Sequence, residues 1–409
     1  MRKNSHFSGQ PLYGQVIKLL DKSKILAYSR NNGGERYTKR FNCWIHLEVM
    51  LYAVIMRFDS LREITASLLA ETRKLSHLGI TFKIGRSTLA DANKRRPEYI
   101  FEAIYRDLYA TYRYALSSDS RSGKTPKWMK RLQIIDSTTI TLFSNLLFKG
   151  VGRHPKTGKK KGGIKVHTVI HANEGVPSDI KFTSAATNDS FMLKPSTLSK
   201  GDIMAMDRAY IDYEKFEQLT QRGVIYVTKM KKNLKYAILS DTMYQTPDGL
   251  MEVRIQNVEF TKPKKGGETI RHKSRIITYA DVKKHKLISL LTNDMDSDPK
   301  EIVAIYRQRW EIELLFKQMK QNFPLKYFYG ESANAIKIQI WVTLIANLLL
   351  MVMQKGLSRK WSFSGLATMV RITLMYYVDF HSLFNNPEKE WEIILSVASG
   401  APPEPSLFD

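Results

Sequence analysis

The 409-residue chain carries 64 lysines and arginines against 39 aspartates and glutamates, a formal charge of +25 at neutral pH. Its 43% hydrophobic content can build sizeable cores and excludes a wholly disordered chain. A single cysteine, Cys43, excludes an intrachain disulfide scaffold, and the basic excess points to a polyanionic partner, either nucleic acid or an anionic membrane surface.

The opening MRKNSHFSGQPLYGQ is charged but has no apolar stretch behind it, so no targeting signal is expected there. The first 115 or so residues read as helical, with apolar residues three and four apart in HLEVMLYAVIMRF and REITASLLAETRKL. Pro97 predicts a break between two helices. After the linker-like SSDSRSGKTPKW, RLQIIDSTTITLF is β-branched and predicts a strand. GGIKVHTVIHANEGVPSDIKFTSA predicts two strands joined at Asn173-Glu174-Gly175, and a short helix follows from about Asp189. DIMAMDRAY predicts a buried strand with a polar end, DYEKFEQLTQRG a helix closed by Gly223, and VIYVTKM a further strand. Together these predict a mixed α/β sheet with helices packed on it.

From about 230 to 297 the pattern is again β. Met251, Val253 and Ile255 alternate with Glu252, Arg254 and Gln256, after a Pro247-Asp248-Gly249 turn. Asp298-Pro299-Lys300-Glu301 predicts a capped helix start, and the pattern runs unbroken to Asn322 before Pro324. The remaining residues read as helical. Their most apolar run, Ile338 to Met353, holds Gln339, Thr343 and Asn347 and falls short of the roughly 20 residues of a membrane span, so a buried core helix is expected and no membrane partner.

On the helix from 299, Tyr306, Arg309, Glu313 and Lys320 fall within about 60° of arc at about 100° per residue, beside an apolar stripe of Ile305, Ile312, Phe316 and Met319. Ordinary ion pairs such as Glu313 with Lys317 explain the charges but not the co-facial tyrosine. Two aspartates, Asp136 and Asp207, follow apolar strand residues, where active sites of α/β sheets sit. Three carboxylates brought together repel one another unless cations neutralise them. Mg²⁺ prefers oxygen ligands, and a pair of such ions serves phosphodiester chemistry.

Tyr306-x2-Arg309-x3-Glu313-x6-Lys320 resembles the YREK signature of the insertion-sequence-four family of DDE transposases, and the order Asp136, Asp207, β insertion, Glu313 resembles theirs. The resemblance implies an RNase H-like mixed-sheet core of class α/β, interrupted by an all-β insertion and flanked by helical N- and C-terminal regions. It implies that Asp136, Asp207 and Glu313 hold two Mg²⁺ ions, for which Mn²⁺ can substitute. Tyr306, Arg309 and Lys320 would hold DNA phosphates, with Arg208 a weaker candidate of the same kind. The expected organisation is a DNA-end-binding region over 1–128, core over 129–229, all-β insertion over 230–297, the rest of the core over 298–330, and a dimerisation region over 331–409. The implied activity is cut-and-paste transposition, with terminal inverted repeats and target double-stranded DNA as partners and a homodimer on paired ends, in the cytoplasm at the bacterial nucleoid. A non-catalytic or domesticated DNA-binding protein on the same fold is the alternative; the intact triad argues against it.

Ser137 to Asn173 contains no acidic residue and holds Lys149, Arg153, Lys156, Lys159, Lys160, Lys161 and Lys165, a basic loop suited to phosphate contacts. Lys262, Lys264, Lys265, Arg271, Lys273 and Arg275 form a second patch. Trp310 could stack on a displaced base or pack against the insertion. Ile84 to Arg96, with Ser87, Thr88, Lys94, Arg95 and Arg96, could form a recognition helix. His154, His167 and His171 lack the further ligands of a zinc site and are expected to be ordinary strand or DNA-facing histidines.

Overall fold

The computed structural model describes residues 9–117, 125–142, 163–245, 252–263, 267–281, 285–389, 391–392 and 395. In chain order the helices α1 (Leu12–Ile17), α2 (Lys22–Asn31), α3 (Cys43–Met56), α4 (Leu61–Ala70), α5 (Thr72–Ser76), α6 (Arg86–Arg95) and α7 (Glu98–Leu116) come first. Strands β1 (Leu132–Thr141), β2 (Gly163–His171), β3 (Pro177–Ser184) and β4 (Ile203–Met206) lead to α8 (Tyr213–Gln221) and β5 (Ile225–Lys229). Then follow β6 (Ala237–Gln245), β7 (Glu252–Pro263), β8 (Thr269–Asp281), β9 (Lys286–Thr292), α9 (Pro299–Gln308) and α10 (Trp310–Asn322). The chain closes on α11 (Ala333–Lys355), α12 (Phe363–Thr373) and α13 (Phe380–Asn385). Two compact units result, one from residues 1–115 with 318–409, the other from 116–317.

The helical unit is built around α3 and α11, which pack on each other. Asn42 and Ser332 start them, each side chain accepting a backbone N–H of the first turn. At 23 residues α11 is longer than the apolar run suggests, and by length and composition it could cross a membrane. Yet 89% of its apolar window is buried. Its polar residues are satisfied there: Gln339 donates to the carbonyls of Pro324 and Tyr327, both at 2.8 Å.

Helix α3 also buries Glu48, at 1% exposure. Burial pushes its carboxyl up to about 8, and Lys22 only partly opposes this. A carboxyl raised in the folded state stabilises below its unfolded value, and that contribution is lost as pH rises through the folded one. Glu48→Gln should therefore match the wild type near pH 4.5 and exceed it above pH 8 by on the order of 2–4 kcal/mol. Urea unfolding at the two pH values checks this; equal stabilities at both would refute it.

The second unit holds one nine-stranded sheet in the order β3-β2-β1-β4-β5-β9-β8-β7-β6. Strands β1, β2 and β3 are antiparallel to one another in turn, and β4 and β5 run parallel to β1. This is the RNase H-like arrangement. The β2–β3 hairpin turns where expected, with Gly175 at φ +70°, and Gly223 at φ +68° closes α8 as expected. The strands of 237–292 extend the same sheet: β9 pairs antiparallel with β5, Val227 opposite Thr292. Along β7 the expected alternation fails. Val253 is buried, but then Gln256, Val258 and Phe260 are buried while Ile255 is only partly so. Gln256 can be buried because its amide donates to Asp241 at 2.9 Å, and Phe260 is held by Tyr213 of α8 stacked on it. Each strand face thus meets a different neighbour, and parity alone does not describe it.

Candidate active site

Asp136 is the fifth residue of β1, not its last. It stands where β1 outruns its parallel partner: the β1–β4 ladder ends at Ile135 opposite Met206, and Asp136 and Asp207 are the next residues of the two strands. Beyond that point the Ser137 N–H donates to the Asp136 carboxylate at 2.7 Å. Asp207 directly follows β4 and caps a short turn, accepting the Ala209 N–H at 2.9 Å. The topology therefore sets two carboxylates side by side at the end of the parallel ladder, the position expected for chemistry in such a sheet.

The third carboxylate arrives on α10. Asp298 caps α9 by accepting the Lys300 N–H at 2.7 Å, with Pro299 first in the helix, as the sequence predicts. The helix expected to run unbroken to Asn322 is interrupted at Arg309, whose N–H bonds three residues back to Tyr306 at 3.1 Å, a tightened turn between α9 and α10. The turn sets Arg309 between two carboxylates. Its guanidinium donates to Glu313 at 2.6 Å and to Asp136 at 3.3 Å, and lies 5.7 Å from the Tyr306 ring centroid. Burial pushes Asp136 up to about 6; the Ser137 N–H and Arg309 oppose this, while Asp207 and Glu313 add to it. Burial likewise raises the Tyr306 phenol.

Of the expected site residues, the structure thus brings together Asp136, Asp207, Tyr306, Arg309 and Glu313. Lys320 lies on the last turn of α10, where burial draws its ammonium below the usual lysine range. Arg208 is exposed on the turn after Asp207, and Trp310 is 56% exposed. Lys165, expected to face DNA, turns elsewhere: it sits opposite Thr139 on β2, donates to the Thr187 carbonyl at 2.8 Å and pairs with Asp189 at 3.3 Å. Lys159, Lys160 and Lys161 lie outside the described residues, as do Lys149, Arg153, Lys156, His154, Lys264 and Lys265. On α6, Arg86, Ser87, Thr88, Lys94 and Arg95 are exposed. Arg96 is not: it is buried and donates to the carbonyls of Gly34 and Phe41, both at 3.0 Å, so it fixes the fold. The sequence reading does not single out Ser137, Asp189 or Tyr210, which lie on the sheet face behind Asp136; its one signal is that Lys165 and His167, two apart on β2, must share a face.

Among the described residues no group of three or more His, Cys, Asp or Glu side chains is drawn together closely enough to hold a metal ion. The donor set is nevertheless that of a hard cation: three carboxylates at one end of the sheet, two of them already spanned by a guanidinium.

Residues 127–349, more than half of the chain, match the family model described as "Transposase DDE domain". The chain belongs to the DDE insertion-sequence transposases. Residues 8–81 of this transposase match a further model whose function is not known. Its relatives include a Sinorhizobium fredii protein named as transposase y4zB, 28% identical over 66% of this chain and 71% of its own. A Geobacillus stearothermophilus protein named for insertion sequence element IS5377 is 23% identical over 67% of this chain and 69% of its own. A Synechocystis protein named for element IS4SA is 26% identical over 68% of this chain and 74% of its own.

Proposed function

We propose that this transposase binds the terminal inverted repeats of its own element, cleaves the DNA there and joins the freed 3′-hydroxyls to target DNA, in cut-and-paste fashion. The observation that carries this reading is that Asp136 and Asp207 stand next to each other past the β1–β4 ladder while Arg309 joins Asp136 to Glu313. Asp136, Asp207 and Glu313 would hold Mg²⁺ or Mn²⁺, two ions per site. Bound there, the metal would activate the attacking oxygen and stabilise the leaving one. The protein's own groups do the rest. Tyr306 and Arg309 offer a hydroxyl and a planar guanidinium beside the carboxylates, suited to backbone phosphates, and Lys320 adds an ammonium farther along the helix. Trp310, which is exposed, would stack on an unpaired base, and exposed Arg208 would hold a phosphate. Two ends handled together call for a homodimer on paired ends, and such a protein would work at the nucleoid.

Cleavage of a labelled duplex carrying the inverted repeat that flanks the gene tests this. Nicking at the repeat boundary with Mg²⁺ or Mn²⁺, abolished by EDTA, is the expected result. Binding without cleavage under every metal condition would instead support a non-catalytic DNA-binding protein.

The exposed face of α6 is the proposed reader of the end sequence. Arg86→Ala and Lys94→Ala should each weaken binding to the repeat and lower the salt slope of log K by about one if the residue holds a phosphate. Arg95→Ala should matter less, because Arg95 is already paired with Asp91 at 2.7 Å. Fluorescence anisotropy over a salt series measures all three, and unchanged slopes for Arg86 and Lys94 would remove α6 from the interface.

A further inference from the structure

On the sheet face opposite Asp136, a polar network stands behind it. Successive strand residues point to opposite faces, so Ser137 turns away from Asp136 and shares its face with His167, its partner in register. Asp189 reaches this face from a short turn anchored by Met192 in the core. The Ser137 hydroxyl donates to Asp189 at 2.7 Å, His167 Nδ1 lies 3.2 Å from the same oxygen, and the Lys165 ammonium lies at 3.3 Å. His167 is fully buried, and its other ring nitrogen bonds Thr183 at 2.7 Å. Tyr210, 1% exposed, lies close enough to Asp189, Asp136 and Asp207 for their charges to raise its phenol further above the value burial alone gives. Burial would raise Asp189 too, but the His167 and Ser137 side chains and the Lys165 charge hold it down at about 2. It is therefore a fixed anion.

We infer that Asp189 is a positioning residue for Asp136. By gripping the Ser137 hydroxyl it fixes the Ser137 peptide N–H that donates to the Asp136 carboxylate, and so prepares that carboxylate to receive a cation. A ligand carboxylate that is itself hydrogen-bonded holds its orientation, and removal of such outer partners typically costs about 10–100-fold in metal affinity or activity. The inference rests on the metal-binding reading above, and its test separates the two.

Asp189→Ala and Ser137→Ala both cut the link, and the second leaves the Lys165–Asp189 pair in place should the first fail to fold. Asp189→Asn keeps an acceptor for Ser137 but loses the charge. In the full-length, metal-free protein, hydrogen exchange at the Ser137 amide should quicken about tenfold in the two alanine variants and stay near wild type in Asp189→Asn. The Mn²⁺ concentration for half-saturation, read from the electron paramagnetic resonance signal of the free ion, should rise about tenfold in the same two variants. Unchanged amide exchange in Ser137→Ala, or Asp189→Asn behaving like Asp189→Ala, would overturn the inference and leave Asp189 a counter-ion for Lys165. Wild-type protein that takes up no Mn²⁺ would overturn the metal reading, and the exchange result would then decide alone whether Asp189 holds Asp136.

Discussion

Glu313→Gln is expected to lower strand cleavage about a thousandfold while leaving inverted-repeat binding within about twofold. The side chain keeps its length and can still accept from Arg309, so the turn at Arg309 and the start of α10 should survive. What disappears is a charge. A carboxylate that helps hold a metal supports several kcal/mol of transition-state stabilisation, and about 4 kcal/mol corresponds to a thousandfold in rate. Folding should not suffer, because the substitution removes one of three mutually repelling carboxylates and Glu313 is already one-third exposed. Thermal unfolding beside single-turnover cleavage separates the two effects. A variant that cleaves at the wild-type rate would remove Glu313 from the triad, and one that loses both binding and fold would say nothing for catalysis.

Much of this site could be read from the sequence, for a physical reason. Asp136 and Asp207 each follow a run of apolar β-formers, and a charge there is costly to bury unless partnered; both stand just past the β1–β4 ladder, although β1 itself runs on beyond Asp136. The spacing from Tyr306 to Glu313 is a local property of helical chain, and these residues meet despite the tightened turn at Arg309. Local rules also gave the Asp298 cap and the glycines at 175 and 223. The features that escaped are those fixed by distant chain. No local pattern announces that β9 will lie against β5, some 60 residues away, so that β6 to β9 continue the core sheet. The burial of Gln256 depends on Asp241 across the ladder, and that of Lys165 on Asp189 from beyond β3. Asp189 read as an ordinary helix start because its partners, Ser137 and His167, become neighbours only through the β1–β2 register. The tightened turn at Arg309 also resisted prediction, since every residue from 299 to 322 after the proline is compatible with continuous helix.

That turn leads to the second large effect. Arg309→Ala should destabilise the metal-free protein by about 1–3 kcal/mol, because the guanidinium, only 15% exposed, is the cation that spans Asp136 and Glu313. Without it Asp136 keeps the repulsion of Asp207 and Glu313 and loses the charge that opposed them. Arg309→Lys should recover only part of this, since an ammonium is a point charge and cannot make two directed bonds to separate carboxylates while lying over the Tyr306 ring. The decisive feature is the response to a divalent ion. A cation that binds the carboxylates stabilises the fold by mass action, and it should do so more in Arg309→Ala, where no guanidinium competes, than in the wild type. Added Mn²⁺ should therefore raise the melting temperature of the variant more than that of the wild type, while cleavage stays at least tenfold lower on the proposal that the guanidinium also holds a DNA phosphate. Differential scanning calorimetry with and without Mn²⁺ measures the first part, and the labelled duplex the second. An equal Mn²⁺ shift in both proteins would mean that Arg309 and the metal do not share these carboxylates. A variant that cleaves normally would mean that the guanidinium serves the fold and not the DNA.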